Sequence, residues 1–299
     1  MNLLITGANG YVGRYLCPLL IADGHHAITL TRKAWHQPPA RNYLWEAGVM
    51  PALQGVDLVI HLAALAHQAG PESPETAALY HAVNVEQTRQ LASAALAQGV
   101  KRFIYLSSIK VNGESTDCSP YRYDTQPQPE DSYGRSKWAA EQVLHELLDG
   151  STTELVIIRP PLIWGGEMKG NLALLQRWVR WRLPLPFGGI HNRRDLVSID
   201  NLCSLIRLVL DHPQAAGQTL LVSDGVTRNT ADIVRLVSAA GAVSPLIIPC
   251  PAWLFRLFTY LPVVGARLKK LTGNLEVDIT PTCERLGWRP LLLDRGAKS

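Results

Sequence analysis

The sequence lacks the cysteine and histidine patterns that build disulfide frameworks or bind structural metals. Its five cysteines are odd in number and widely spaced, with no Cys-x-x-Cys pair, which favours reduced thiols in a cytoplasmic protein. The nine histidines show no His-Glu-x-x-His or comparable spacing. We therefore expect no metal site, and we interpret His61 and His67 as structural or loop residues.

Long uninterrupted apolar runs are also absent. Residues 251–271 are rich in aromatic and aliphatic side chains, but Arg256, Pro262 and Gly265 interrupt them. No run reaches the roughly 18 residues that a membrane-spanning helix needs. We expect a packed helix or an oligomer contact in 251–271, with peripheral membrane contact as the alternative. The first strand pattern begins at once, so we expect no signal peptide.

The charge pattern argues against nucleic-acid binding. The formal net charge of +4 is mild, and the basic residues are scattered apart from Arg193-Arg194 and Lys269-Lys270. A small anionic ligand fits this pattern better than a nucleic acid, which would need a dense basic stripe. The 299 residues suffice for one large α/β unit or for two lobes.

The order of patterns favours two lobes. Strand and helix patterns alternate to about Arg159, which predicts a doubly wound parallel sheet. Beyond Arg159 the segments become shorter and richer in tryptophan, proline and arginine. These later segments suit a smaller lobe that closes over a substrate.

Residues 6–13 form a glycine-rich turn between a strand pattern and the helix pattern of Tyr11 to Asp23. Gly7 allows the tight turn, Gly10 lets the backbone approach a pyrophosphate, and Gly13 lets helix and strand pack closely. The helix N-terminus offers its unpaired N–H groups to the phosphates. The segment predicts a dinucleotide site, although such turns also occur for packing alone.

Tyr133 and Lys137 are spaced for acid–base chemistry. Residues four apart lie on one face of a helix, and a neighbouring ammonium lowers the pKa of a phenol towards neutral pH. By itself this spacing also fits an ordinary amphipathic helix. However, the strand pattern of 102–106 delivers Ser107 and Ser108 to the carboxyl edge of the predicted sheet, where open α/β sheets bind ligands.

Further motifs are interspersed with these three along the chain. They are Val59–Ala64, Asn84, Leu106–Gly113, Arg159–Gly165 and Arg194–Asp200. With them the chain resembles, over nearly its whole length, the extended short-chain dehydrogenase/reductase family of sugar-nucleotide epimerases, dehydratases and reductases. The resemblance implies an NAD(P)-dependent enzyme with a Rossmann domain at 1–160 and a mainly substrate-binding, interleaved lobe at 161–299.

The resemblance also implies residue roles. Ser108 would hydrogen-bond the reacting sugar oxygen, Tyr133 would be the acid/base, and Lys137 would bind the nicotinamide ribose and lower the pKa of the tyrosine. Substrate contacts are expected from Ser108, Asn171, Arg194 and Arg267, with Arg194 on the nucleotide diphosphate. Cofactor contacts are expected from Gly7, Gly10, Tyr11, Val12, Gly13, Arg32, Leu62, Ala63, Ala64, Tyr133, Lys137 and Pro160. A homodimer through helices in 75–98 and 133–148 is a further implication.

Three residues depart from the family pattern. Leu162 stands where many relatives carry asparagine, and Asn112 replaces the usual tyrosine of the Val-Tyr-Gly loop, which leaves the exact sugar open. Pro18 is expected to interrupt the first helix.

The end of the second strand bears on the cofactor. NAD enzymes commonly place an acidic residue there, but residues 27–33 contain no carboxylate. Arg32 is able to pair with the extra phosphate of NADP and to stack on adenine; as the alternative it is an ordinary surface charge. NADP(H) is therefore favoured, with NAD(H) as the alternative.

The cofactor preference points towards net reduction. Residues 107–113 and 192–197 resemble the bacterial branch that reduces the 4-keto group of UDP-linked 2-acetamido-2,6-dideoxy-hexos-4-uloses in O-antigen and lipopolysaccharide synthesis. We expect such an NADPH-dependent reductase in the cytoplasm. The alternatives are a UDP-sugar 4-epimerase with bound NAD, a non-catalytic NADP-sensing regulatory protein, and a membrane-docked scaffold.

Overall fold

A seven-stranded parallel sheet lies at the centre of the structure, a computed structural model that describes residues 1–32, 41–66, 72–168, 170–239, 244–250 and 272–292. Its strand order is β3-β2-β1-β4-β5-β6-β9. The strands are β1 Asn2–Thr6, β2 His26–Thr31, β3 Arg41–Leu44, β4 Leu58–His61, β5 Arg102–Leu106, β6 Glu154–Arg159 and β9 Gln218–Leu221. This is the doubly wound α/β fold that the sequence predicts.

Helices cover both faces of the sheet. They are α1 Tyr11–Ala22, α2 Met50–Leu53, α3 Pro74–Tyr80, α4 Gln87–Ala97, α5 Ser132–Leu148 and α7 Ile199–Leu208. Two apolar clusters follow from this arrangement: one joins α1 and α7 to the sheet, and the other joins α2, α4 and α5 to its opposite face. The buried strands therefore read as continuous apolar runs.

Two features of the helices differ from what their sequence patterns predict. Pro18 does not interrupt α1, which continues through it to Ala22; Pro18 is exposed, so water can reach this turn of the helix. A π-helical turn, His81–Glu86, joins α3 to α4. The helices of the expected dimer contact are thus formed, and the dimer itself stays a prediction.

A third apolar cluster lies beyond β6. The short parallel strands β7 Leu162–Trp164 and β8 Leu196–Ser198 pair with each other, and helices α6 Gly170–Arg180 and α8 Thr230–Ala239 pack together near them. Strand β9 then returns to the main sheet. The boundary at 160/161 stays a prediction.

A last short helix, α9 Thr280–Leu286, closes the described chain. Within the described ranges, no helix combines the length and the apolar character that crossing a bilayer requires. Residues 251–271, Arg267 among them, and His67 lie outside the described residues.

Candidate active site

The glycine turn after β1 is closely packed. Gly7 has φ +70°, and a Cβ added there would lie 2.7 Å from the backbone nitrogen of Ala63. A Cβ at Gly13 would lie 2.4 Å from the carbonyl oxygen of Gly7. Only glycine fits these two positions without moving the backbone.

The N-terminus of α1 fits a dinucleotide diphosphate. Gly10 caps the helix without a side-chain hydrogen bond, and its first turn carries no acidic residue. Tyr11 and Val12, whose N–H groups belong to this turn, are the adjoining candidate residues. The helix dipole and these N–H groups favour an anion, so the residues present fit the cofactor that the sequence predicts.

The carboxyl end of β4 faces this turn. The Ala63 N–H donates to Thr6 Oγ1 at 3.1 Å, and Leu62 and Ala64 are half-buried beside it. His61 lies between Thr6 Oγ1, at 2.6 Å from Nδ1, and Thr88 Oγ1, at 2.8 Å from Nε2. Burial, helped by Lys137, lowers the pKa of His61 to about 3, so this imidazole is neutral and structural.

Strand β5 delivers the next group of residues. The Lys137 Nζ donates to the Leu106 carbonyl oxygen at 2.6 Å and lies 3.9 Å from the centroid of the Tyr105 ring. Burial lowers the pKa of Lys137 to about 7, against the opposing charge of Glu141. The amine that the family resemblance assigns to the nicotinamide ribose thus lies at the carboxyl end of β5.

Tyr133 lies in the first turn of α5. Asp131 caps this helix by accepting from the Gly134 N–H at 2.7 Å. The Ser108 side chain lies close enough to the Tyr133 phenol to lower its pKa, so two of the three predicted catalytic residues are neighbours. Burial raises the pKa of Tyr133 to about 12, although Lys110 and Ser108 both lower it.

The expected depression of the tyrosine pKa by Lys137 is not what the structure shows. Burial outweighs the favourable charges at Tyr133, and the nearby ammonium is that of Lys110, 5.9 Å from the ring centroid. At neutral pH the phenol is therefore protonated.

A buried charge network underlies the site, and the sequence analysis missed it. Glu141 accepts from Arg159 Nε at 3.0 Å and Nη2 at 2.5 Å, and also from the Ser107 hydroxyl. Arg159 Nη1 reaches Asn112 Oδ1 at 3.1 Å. Asn112 is thus part of the buried framework, and its bearing on the sugar stays a prediction.

Arg193 and Arg194 point to different surroundings. Arg193 is exposed and bonds Glu276 Oε2 at 2.8 Å. Arg194 Nη1 donates to the Gly273 carbonyl oxygen at 2.9 Å, and within the described chain no carboxylate forms an ion pair with it. Burial lowers the pKa of Arg194, against the charge of Glu114. The role of Arg194 as a phosphate ligand stays a prediction.

The remaining candidates are scattered around these groups. Arg32 is exposed just after β2, and the buried Pro160 accepts from the Ile109 N–H at 2.9 Å through its carbonyl oxygen. Asn171 lies near the start of α6. Their roles stay predictions.

The fold and this arrangement agree with the comparison to family models. The model of the NAD dependent epimerase/dehydratase family matches residues 3–222. The chain belongs to this family. It is accordingly an NAD(P)-dependent enzyme of the short-chain dehydrogenase/reductase type, as the sequence predicts.

Curated members of the epimerase/dehydratase family align with nearly the whole chain. A UDP-glucose 4-epimerase of Vibrio cholerae is 41% identical over 97% of this chain and 90% of its own length. An N-acetyl-alpha-D-glucosaminyl-diphospho-ditrans,octacis-undecaprenol 4-epimerase of Escherichia coli O157:H7 is 28% identical over 93% of this chain and 88% of its own.

Solved structures share the fold of this family member. A Bacillus cereus UDP-glucuronic acid 4-epimerase in complex with NAD superposes with a TM-score of 0.76 at 19% identity, covering 97% of this chain and 94% of that one. A Thermotoga maritima UDP-glucose 4-epimerase with UDP-glucose gives 0.74 at 21% identity, covering 97% and 94%.

Proposed function

We propose that the protein is a 4-epimerase of a UDP-linked hexose that works by reversible oxidation at C4. The observation that carries the proposal is the proximity of the Ser108 hydroxyl to the Tyr133 phenol, at the same sheet edge as the glycine turn of α1. The alignment with the Vibrio cholerae UDP-glucose 4-epimerase supports the choice of reaction.

The glycine turn, the first turn of α1 and Lys137 would hold the dinucleotide. When bound, the dinucleotide would supply the reversible hydride acceptor that inversion at C4 needs. The protein's own part would be proton transfer: the fraction of Tyr133 in its phenolate form takes the proton of the C4 hydroxyl, and the phenol so formed returns a proton to the C4 oxygen after the sugar has turned. Ser108 donates a hydrogen bond to that oxygen.

Arg194 would bind the diphosphate of the substrate. Its planar guanidinium fits two phosphate oxygens, and its partial burial strengthens that pairing. The neighbouring Arg193 is already paired with Glu276, which leaves Arg194 as the group that a diphosphate would engage.

Net reduction of a 4-keto sugar by NADPH is the second candidate. Two observations favour it. The Tyr133 phenol is protonated at neutral pH, as an acid for reduction must be. The exposed, charged side chain of Arg32 directly follows β2. An arginine at this place favours the extra phosphate of NADP.

One experiment separates the two candidates. The purified protein is denatured to release and quantify any retained NAD, and is separately incubated with UDP-hexoses without added cofactor. An epimerase forms the 4-epimer with no net change at 340 nm. A reductase needs added NADPH, consumes it stoichiometrically, and acts on UDP-4-keto-6-deoxy sugars. A panel without either activity would refute both proposals.

Two additions sharpen this panel. Undecaprenyl-diphosphate-linked N-acetylglucosamine is included because the Escherichia coli relative is named for such a substrate. The Tyr133→Phe variant is expected to lose two to four orders of magnitude in turnover while keeping its cofactor affinity. Tyr123→Phe, at an exposed tyrosine, is the matched control, and equal activity of the two variants would refute the proton path.

The cofactor preference is tested at Arg32. The reductase candidate predicts that NADP(H) binds more tightly than NAD(H) and that Arg32→Asp reverses this order, because a carboxylate repels the extra phosphate. Calorimetric titration of both cofactors measures the order. Equal or tighter NAD(H) binding by the unmodified protein would contradict the expectation.

A further inference from the structure

Lys110 contacts both members of the candidate catalytic pair. Its backbone N–H donates to Ser108 Oγ at 3.3 Å, and its Nζ lies 5.9 Å from the Tyr133 ring centroid. The two segments are also pressed together, since a Cβ added at Gly134 would lie 2.7 Å from the Lys110 carbonyl oxygen. The position of Lys110 relative to the phenol is therefore fixed by the backbone.

Two carboxylates hold the Lys110 ammonium in place. Nζ donates to Glu114 Oε1 at 2.8 Å and to Asp131 Oδ2, and Asp131 is also the residue that caps α5. Although burial opposes it, these carboxylates raise the pKa of Lys110, so the group stays charged throughout the physiological range.

We propose that Lys110 is a positioning residue for Tyr133: its fixed ammonium stabilises the phenolate, and Glu114 sets how much of that charge reaches the phenol. This inference rests on the proposed role of Tyr133 as the acid/base. It assigns to the loop after β5 a cation distinct from Lys137, whose amine lies under the site on the Leu106 carbonyl oxygen.

The other groups around Tyr133 do not supply this charge. Tyr80 of α3, whose ring centroid lies 6.0 Å away, and Asp131 both raise the pKa of Tyr133. Tyr105 of β5 has its own pKa raised by Tyr133. Groups that face Tyr133 or its helix turn are Tyr80, Tyr105, Ser108, Lys110, Asp131, Arg135, Lys137 and Glu72. Among these described neighbours, Lys110 is the cation that lowers the pKa of Tyr133.

The charge chain extends to the candidate phosphate ligand. Glu114 accepts from Lys110 and also raises the pKa of Arg194. Neutralising Glu114 therefore frees more of the Lys110 charge to act on Tyr133, whereas neutralising Lys110 leaves carboxylates near the phenol. The two substitutions must shift the titration of Tyr133 in opposite directions.

The test measures the titration of position 133 directly. 3-Nitrotyrosine is installed there in the full-length protein, since the nitro group brings the phenol into an accessible pH range and gives it a visible absorption band. Lys110→Met is expected to raise the titration midpoint by about one pH unit. Glu114→Gln is expected to lower it by a few tenths of a unit, and Lys110→Arg to keep it near the starting value.

Lys101→Met is the matched control, because Lys101 forms an exposed pair with Asp57 and should leave the midpoint unchanged. An unchanged midpoint in Lys110→Met, or shifts of the same sign in Lys110→Met and Glu114→Gln, would overturn the proposal. Should Lys110→Met not fold, the downward shift in Glu114→Gln decides alone, and its absence refutes the proposal.

The pH profile of turnover gives a second measurement. In the protein without nitrotyrosine, the limb of the kcat profile that reports Tyr133 ionisation should shift to a pH about one unit higher in Lys110→Met. KM for the nucleotide sugar should stay unchanged. The two hypotheses fail separately: full activity of Tyr133→Phe refutes the proposed function, whereas an unmoved midpoint at position 133 refutes the role of Lys110.

Discussion

Replacing Glu141 by glutamine should destabilise the protein strongly. The Glu141 side chain is 0% exposed and that of Arg159 is 5% exposed, so removal of the carboxylate leaves a buried guanidinium without its counter-charge. The glutamine oxygen can still accept one bond, but its NH₂ group then faces Arg159 donors. Breaking a buried ion pair from one side costs about 3–5 kcal/mol, a large share of the about 5–15 kcal/mol that stabilises a typical protein.

Urea unfolding followed by tryptophan fluorescence measures this loss in free energy of unfolding. Glu146→Gln on the same helix is the control, because Glu146 forms an exposed pair with Arg89 at 3.6 Å and such pairs contribute at most about 1 kcal/mol. The double variant Glu141→Leu/Arg159→Met should recover most of the loss, since neither charge remains buried alone. A cost for Glu141→Gln no larger than that for Glu146→Gln would refute the reasoning.

Two further predictions concern ligand binding and pH. Arg194→Ala should raise KM for the nucleotide sugar and weaken inhibition by UDP without changing NAD(P) affinity. Arg193→Ala removes an exposed pair with Glu276 and should leave both KM and UDP inhibition unchanged. If steady-state kinetics cannot separate the two variants, the diphosphate site lies elsewhere. His61 has its pKa lowered to about 3, so the unfolded state binds a proton that the folded state excludes, and stability is lost as the pH falls from about 6.5 towards 3. In His61→Gln the loss of stability with falling pH should be shallower by up to about 1.4 kcal/mol per pH unit. Urea midpoints at several pH values measure this slope. A slope unchanged from that of the parent, or equal to that of the exposed-site control His26→Gln, would show that His61 is not the titrating group.

Short-range patterns predicted the parts of the site that depend on neighbouring residues. The turn at 6–13 requires glycine for local backbone reasons, and Tyr133 and Lys137 share a helix face because of their spacing. The doubly wound parallel sheet also followed from alternating strand and helix patterns. These features are written within a few residues of each other in the sequence.

The parts of the site that could not be predicted depend on contacts between elements that lie far apart in the sequence. Glu141 and Arg159 lie on different elements, α5 and β6, and nothing in either segment alone indicates that their side chains meet. The same holds for Lys110 and Asp131. Only the cap at Asp131 had a local signal, since an aspartate directly before a helix pattern is a typical N-cap. The pKa of Tyr133 could not be predicted either, because it depends on how deeply the folded chain buries the phenol.

The late position of β9 in the chain affects how the protein must be made. Strand β6 is buried from its second residue to its last, and in the finished sheet it lies between β5 and β9. The ribosome adds β9 about 60 residues after β6, which at about 5–20 residues per second takes roughly 3–12 s. During that interval β6 is an open, apolar sheet edge on a nascent chain, the kind of surface that aggregates unless it is shielded. A fragment that ends before β9 would keep this edge exposed, so we expect such a fragment to aggregate.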